Sequence, residues 1–225
     1  MNKEQAQEEE TSEVKAASQS AVERGEAIRE DTRDITLTAL SQHHLDSKKI
    51  RQVVHAVIEG ASIGSTSKGG QAKDALLDAM TGVDEALAKS AEASKLAVEE
   101  AAGNLKDFSK QDMKRALDDI QALEDMFLDT VSEVAKGADE LIRSSLCDMV
   151  EHARNSGTAV GKTATQATEA LNQQLGKTLH EAASASAHAA MEITGHIAQA
   201  AAGALDGLAQ TLQQERKDKP PADKE

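Results

Sequence analysis

The sequence predicts an all-α protein: an antiparallel helical bundle or coiled coil with a long Ala-rich C-terminal helix. Three observations lead there. Hydrophobic residues make up 39% of the chain, charged residues 28% and aromatic residues only 1%, the balance of bundles and long amphipathic helices. The two prolines are Pro220 and Pro221, so the preceding 219 positions hold no obligatory helix breaker. Apolar residues recur at steps of three and four through most of the chain. With no Trp, no Tyr and two Phe, the interior has to come from Leu, Ile, Val, Met and Ala. Such side chains fill a narrow helix–helix seam more readily than a thick core built around rings.

Residues 1–24 are polar and acidic, with Glu8, Glu9, Glu10 and Glu13 close together. Little apolar surface is available there to offset the entropy of ordering, which predicts a disordered tail. A first helix starts near Gly25 and carries Ile28, Ile35, Ala39 and Leu40. SQHHLDS breaks it, and LDSKKIRQVVHAVIEG supplies a second, with Asp46 as N-cap and Leu45 and Ile50 placed as a hydrophobic staple. Gly60, Gly64, Gly69 and Gly70 read as a loop that ends this helix. A third helix covers about 71–105, its stripe running from Leu76 and Met80 to Leu105 and Phe108. Ser109-Lys-Gln-Asp112, flanked by Phe108 and Met113, resembles a capping box and predicts a chain reversal near Asn104–Ser109.

From 113 the spacing becomes heptad-like. Met113, Leu117, Ile120, Glu124, Phe127, Val131, Val134, Ala138 and Leu141 alternate steps of four and three, with charged Glu124 as the one exception to an apolar seam. An antiparallel bundle within the chain and a dimeric coiled coil both fit this pattern. After Gly137 the stripe moves to Ile142, Leu146, Met149 and Ala153, and Cys147 reads as a small buried residue among them.

Composition shifts again at Thr158. Up to Gln213 the charged residues are Lys162, Lys177, Glu169, Glu181, Glu192 and Asp206 alone, and Ala dominates. The stripe here passes through Val160, Ala164, Ala167, Leu171, Leu175, Leu179, Ala182, Ala189, Ile193, Ile197, Ala201, Ala204, Leu208 and Leu212, with Gly176 and Gly195 as candidate bends. Its mean step, about 3.7 residues, is nearer an 11-residue repeat than a heptad. The chain thus divides into an acidic tail (1–24), a helical bundle (25–157), a low-charge amphipathic region (158–213) and a charged disordered tail (214–225).

The function classes narrow accordingly. A net charge of −14 and a pI near 4.9 argue against nucleic-acid binding, which needs a basic face. The single cysteine, the absence of an apolar leader in MNKEQAQEEE and the lack of about 18 consecutive apolar residues place the expectation in the cytoplasm. His188, Glu192 and His196 step by four and share a helix face, but one face supplies too few ligands for a closed metal site, so a solvated face is the expectation. GSTSKGG lacks Walker spacing, and no carboxylate sits in an apolar run that would tune it for acid–base work. The expectation is a non-enzymatic interaction or scaffold protein without a cofactor, a homo-oligomer or the partner of another helical protein. Its candidate interaction face is Met113, Leu117, Ile120, Phe127, Val131, Val134, Leu141, Leu171, Leu175, Leu179, Ile193, Ile197, Leu208 and Leu212. The alternative is reversible coating of a hydrophobic storage granule or membrane surface by the Ala-rich region.

The stretches RGEAIREDTRDITLTAL, LDSKKIRQVVHAVIEGASIG, DALLDAMTGVDEALAKSAEASKLAVEE and FSKQDMKRALDDIQALEDMFLDTV together resemble an uncharacterised bacterial all-helical family over about residues 24–160. That resemblance implies a helical fold and carries no known activity. GKTATQATEALNQQLGKTLHEAASASAHAA is similar in texture to late-embryogenesis-abundant proteins and to phasins, which coat polyhydroxyalkanoate granules through amphipathic helices.

Overall fold

Helical periodicity along the chain becomes seven α-helices in the computed structural model, which describes residues 3–41, 47–103 and 110–182. They are α1 (Lys3–Arg24), α2 (Ile28–Ser41), α3 (Ser47–Thr66), α4 (Ala72–Gly103), α5 (Lys110–Gly137), α6 (Glu140–Ser156) and α7 (Ala159–Ala182). A 3₁₀ turn at Gly69–Gln71 joins α3 to α4, and no strand occurs among the described residues. The all-α expectation is met. The predicted capping box at Ser109 and the SQHHLDS break fall largely outside the described residues.

Hydrogen-bonded pairs fix how the helices run. Gln7 meets Gln52, Lys15 meets Glu59, and the Lys68 ammonium donates to the Glu23 carbonyl at 2.6 Å. These partners keep a nearly constant separation of 44 or 45 residues, so α1 and α3 lie side by side and parallel. Lys73 meets Asp148, and Ala159 and Val160 meet Asp84, at separations of 75 and 76. Broken at Gly157, α6 and α7 therefore follow α4 in its own direction. Short turns make α1–α2, α3–α4 and α5–α6 antiparallel pairs. The result is three helical hairpins set side by side, α1, α3 and α5 in one layer and α2, α4 and α6–α7 in the other. Helix α4 touches all six of the others.

Three sequence readings are corrected here. Residues 3–24, read as a disordered tail, form helix α1. Its inward face is built from small or half-polar residues, Val14, Ser18, Ala21 and Val22, so it carries little apolar signal. Gly60 and Gly64, read as loop punctuation, lie inside α3. They are the reason α1 can approach. A Cβ on Gly60 would overlap the Lys15 carbonyl oxygen, and one on Gly64 would sit 2.6 Å from that of Gln19. The Ser18 hydroxyl closes this contact by donating to the Val57 carbonyl at 2.8 Å. Cys147, read as buried, is exposed. Helix α6 turns Ile142, Leu146 and Val150 inward at steps of four, which points residue 147 elsewhere. Cys147→Ser should accordingly change stability by less than about 0.5 kcal/mol in chemical denaturation.

One hydrophobic cluster joins Val22 of α1, Leu37 and Leu40 of α2, Val54 and Ile58 of α3, Leu76, Met80 and Leu87 of α4, Ile142 and Leu146 of α6, and Leu171 of α7. The core thus runs across the compositional shift at Thr158, because Val160, Ala164, Ala167 and Leu171 pack into it. No described helix is long and apolar enough to cross a membrane. Residues 183–213, the rest of the Ala-rich region, and the charged stretch 214–225 lie outside the described residues.

Candidate functional site

Helix α7 is held at its first turn by carboxylates from two other helices. An α-helix leaves its first backbone N–H groups without intrahelical partners, and here each finds one. Asp84 of α4 accepts from Ala159 N through Oδ2 at 2.7 Å and from Val160 N through Oδ1 at 2.8 Å. The Thr158 hydroxyl accepts from Gly161 N at 2.9 Å, as an N-cap does. Glu124 of α5 accepts from both Thr158 N, at 3.1 Å, and Thr158 Oγ1, at 2.6 Å. The charged residue in the otherwise apolar α5 seam is therefore a tether for α7. Gly161 leaves room for it, since a Cβ there would fall on the Glu124 carboxylate.

This arrangement perturbs Asp84. Burial raises its pKa above the ordinary carboxylate value, the Val160 and Ala159 N–H groups pull it back, and the charges of Glu124 and Glu85 push it further up. Raised in the folded state, the Asp84 pKa makes protonation favour the fold. The contribution is fully present below the unfolded carboxylate pKa and is lost as pH rises through the folded value. Asp84→Asn removes that titration, so the stability deficit of the variant should be larger at pH 4 than at pH 7. Paired denaturant melts at the two pH values measure it, and a deficit that shrinks on acidification contradicts the assignment. Both carboxylates are occupied by backbone and hydroxyl donors, so this cluster orders the fold.

The second feature faces outward. Between the start of α4 and the middle of α6 lies a groove of about 210 Å³ lined by Lys73, Leu76, Leu77, Ser145, Leu146, Asp148, Met149 and His152. Leu76 and Leu146 are buried and form its floor, Leu77 stands 51% exposed, and Met149 is half-buried. Three of its polar side chains are engaged: Lys73 pairs with Asp148 at 3.3 Å, and the Ser145 hydroxyl donates to the Leu141 carbonyl at 2.9 Å. Leu141 shares one face of α6 with Ser145, Asp148 and His152 and extends the strip by a turn, 56% exposed. The groove offers aliphatic surface with an ion pair on its rim.

The candidate interaction residues fall into four groups. Leu117, Ile120, Phe127, Val131, Val134 and Leu171 are buried within the chain, where α5 and α7 pack on each other and on α4. Their spacing records an intrachain seam. Leu141 belongs to α6, beyond the break at Gly137–Asp139, and faces outward. Met113 lies in α5, and Leu175 and Leu179 in α7, which continues through Gly176 without interruption. Ile193, Ile197, Leu208 and Leu212, with the His188–Glu192–His196 triplet, lie outside the described residues. Sequence reasoning passed over Leu77 and Leu96, the exposed leucines of α4, because both stand off its main stripe. Leucine away from the stripe was the available signal.

Hairpins stacked in two layers, with an aliphatic groove on the outside and carboxylates capping α7, define an all-α helical protein. Within that class, the chain belongs to the DUF6781 family, a family of unknown function, whose model matches residues 3–214. The match reaches well beyond the 24–160 span of the sequence resemblance and includes α1 and the whole Ala-rich region. No curated protein and no solved structure matches the chain.

Proposed function

We propose that this protein is a non-enzymatic helical interaction protein that self-associates, with the α4/α6 groove as its docking face. The supporting observation is the pairing of a buried aliphatic floor, Leu76 and Leu146, with the exposed Leu77 and Leu141 beside it. Surface leucines are unremarkable singly, but a contiguous apolar strip with a polar rim is the usual form of a helix-docking site. Light scattering of the full chain over micromolar concentrations tests the reading. The wild type should exceed its monomer mass of 23.8 kDa. Leu77→Asp should return it to monomer without changing its melting temperature, because Leu77 carries little of the core. A wild type that stays a monodisperse monomer overturns self-association.

The reading of 158–213 as a granule or membrane coat draws on that region's low charge. It predicts co-flotation with polyester beads or liposomes, insensitive to Leu77→Asp. Flotation of the wild type would favour surface coating over protein docking.

A further inference from the structure

We propose that two copies of this chain pair through the α4/α6 groove about a twofold axis parallel to those helices, each Lys73 meeting the partner's Asp148. The inference rests on the docking reading of the groove and deepens it by fixing the occupant as a second copy in one orientation. A net charge of −14 makes two copies repel over most of their surface. At the groove that repulsion is locally cancelled. Its lining carries one lysine, Lys73, and one carboxylate, Asp148, around the aliphatic Leu76, Leu77, Leu146 and Met149. Both charged side chains are 62% exposed, so a second molecule can reach them.

Charge selects the orientation. In a closed pair of identical surfaces, a residue that meets a second residue on the partner is met by it in return. With the faces in contact and the groove at the axis, that axis runs either across the helices or along them. Across them, α4 lies over the partner's α4, Lys73 faces the partner's Lys73 and Asp148 faces the partner's Asp148. Both contacts repel. Along them, α4 lies over the partner's α6. Lys73 and Asp148 meet at 3.3 Å within one chain and so stand at one level of the bundle. Rotation about the helix direction keeps that level and exchanges the two sides, which sets Lys73 against the partner's Asp148. The four charges then alternate in sign around the axis. Since α6–α7 follows α4 with a constant offset of 75, Leu77 is level with His152. The same rotation carries Leu77, half exposed in one chain, onto the partner's Met149 and His152, above the buried floor at Leu146. One operation thus covers the apolar strip and neutralises its rim.

Mixing two charge variants of the full chain tests this by light scattering. Lys73→Glu and Asp148→Lys each set like charges against each other in both contacts across the axis. Each should weaken association by at least about tenfold. An equimolar mixture should regain the wild-type strength. In the mixed pair the two substituted side chains face each other, the two native ones do the same, and both contacts are opposite in sign. The intrachain ion pair is absent from both variants, so recovery can come only from contacts between chains. Circular dichroism checks that each variant keeps its helicity. The wild type should level off at twice its monomer mass of 23.8 kDa. Variants that associate like the wild type, with a mixture tighter than either, place the axis across the helices and overturn the proposal. A mixture as weak as its components, or growth beyond the pair with concentration, also overturns it. If Leu77→Asp dissociates the assembly while the mixture fails to recover, the twofold pairing is lost and groove docking stands. A wild type that stays monomeric removes both.

Discussion

Gly60→Val detaches α1 from the rest of the protein. The atoms that a Cβ at residue 60 would meet are the Lys15 carbonyl oxygen and carbon and the Gln19 nitrogen, all main chain. A flexible side chain could swing away, but a helix backbone cannot. Either α3 and α1 move apart along the whole contact, or α1 leaves. Separation forfeits the burial of Ala21 and Val22 and the Ser18–Val57 hydrogen bond, together about 3 kcal/mol by the usual values for a buried aliphatic side chain and a neutral hydrogen bond. Overpacking strain of about 1–3 kcal/mol sets a similar scale. The melting temperature should fall by on the order of 10 °C. Far-ultraviolet circular dichroism should lose about a tenth of its helical signal, the share of the chain in α1. Gly70→Ala is the control, because a Cβ at Gly70 meets nothing within 4 Å; its effect should be close to zero. A Gly60→Val protein with unchanged stability and helicity would show that α1 does not dock on α3.

Asp84→Ala should cost about 3 kcal/mol. The substitution removes both acceptors from the first turn of α7 and strands Ala159 and Val160 N–H beside buried Val83 and Val160. Loss of a helix cap alone costs about 1–2 kcal/mol, and each buried donor left without a partner adds about 1–3 kcal/mol where water cannot reach it. Relief of the repulsion between Asp84 and Glu124 offsets part of this. Glu124→Gln should cost less, because its amide oxygen can still accept from Thr158. Thermal melts of the two variants rank them, and hydrogen exchange locates the effect. Protection should fall first at Ala159, Val160 and Gly161 in Asp84→Ala, while α1 and α3 keep theirs. Uniform loss of protection would place the role of Asp84 in the core as a whole rather than at the α7 N-terminus.

Parts of this architecture are legible in the sequence for a clear reason. Helices α3, α4 and α5 each carry a one-sided aliphatic stripe, and burial of such a stripe is a local consequence of spacing. The turn between α5 and α6 is written in Gly137 and Asp139, whose carboxylate accepts from Ile142 N at 3.1 Å. Other parts were hidden because their meaning depends on residues far away. Gly60 and Gly64 look like loop residues until α1 arrives against them. Glu124 looks like a defect in a heptad seam until Thr158, thirty-four positions later, reaches it. Leu77 and Leu96 look incidental along α4, and only its packing against α6 gives one of them a groove.

Alone, the sequence determined that this chain is helical and that its interior is aliphatic. Each of those follows from periodicity, capping residues and composition, which act within a few turns. Tertiary structure decided that the heptad stripe closes within the chain, that an acidic N-terminal segment is a packed helix, and which leucines face outward. Those outcomes depend on which backbones can approach and which charges find donors, and such pairings connect residues dozens of positions apart.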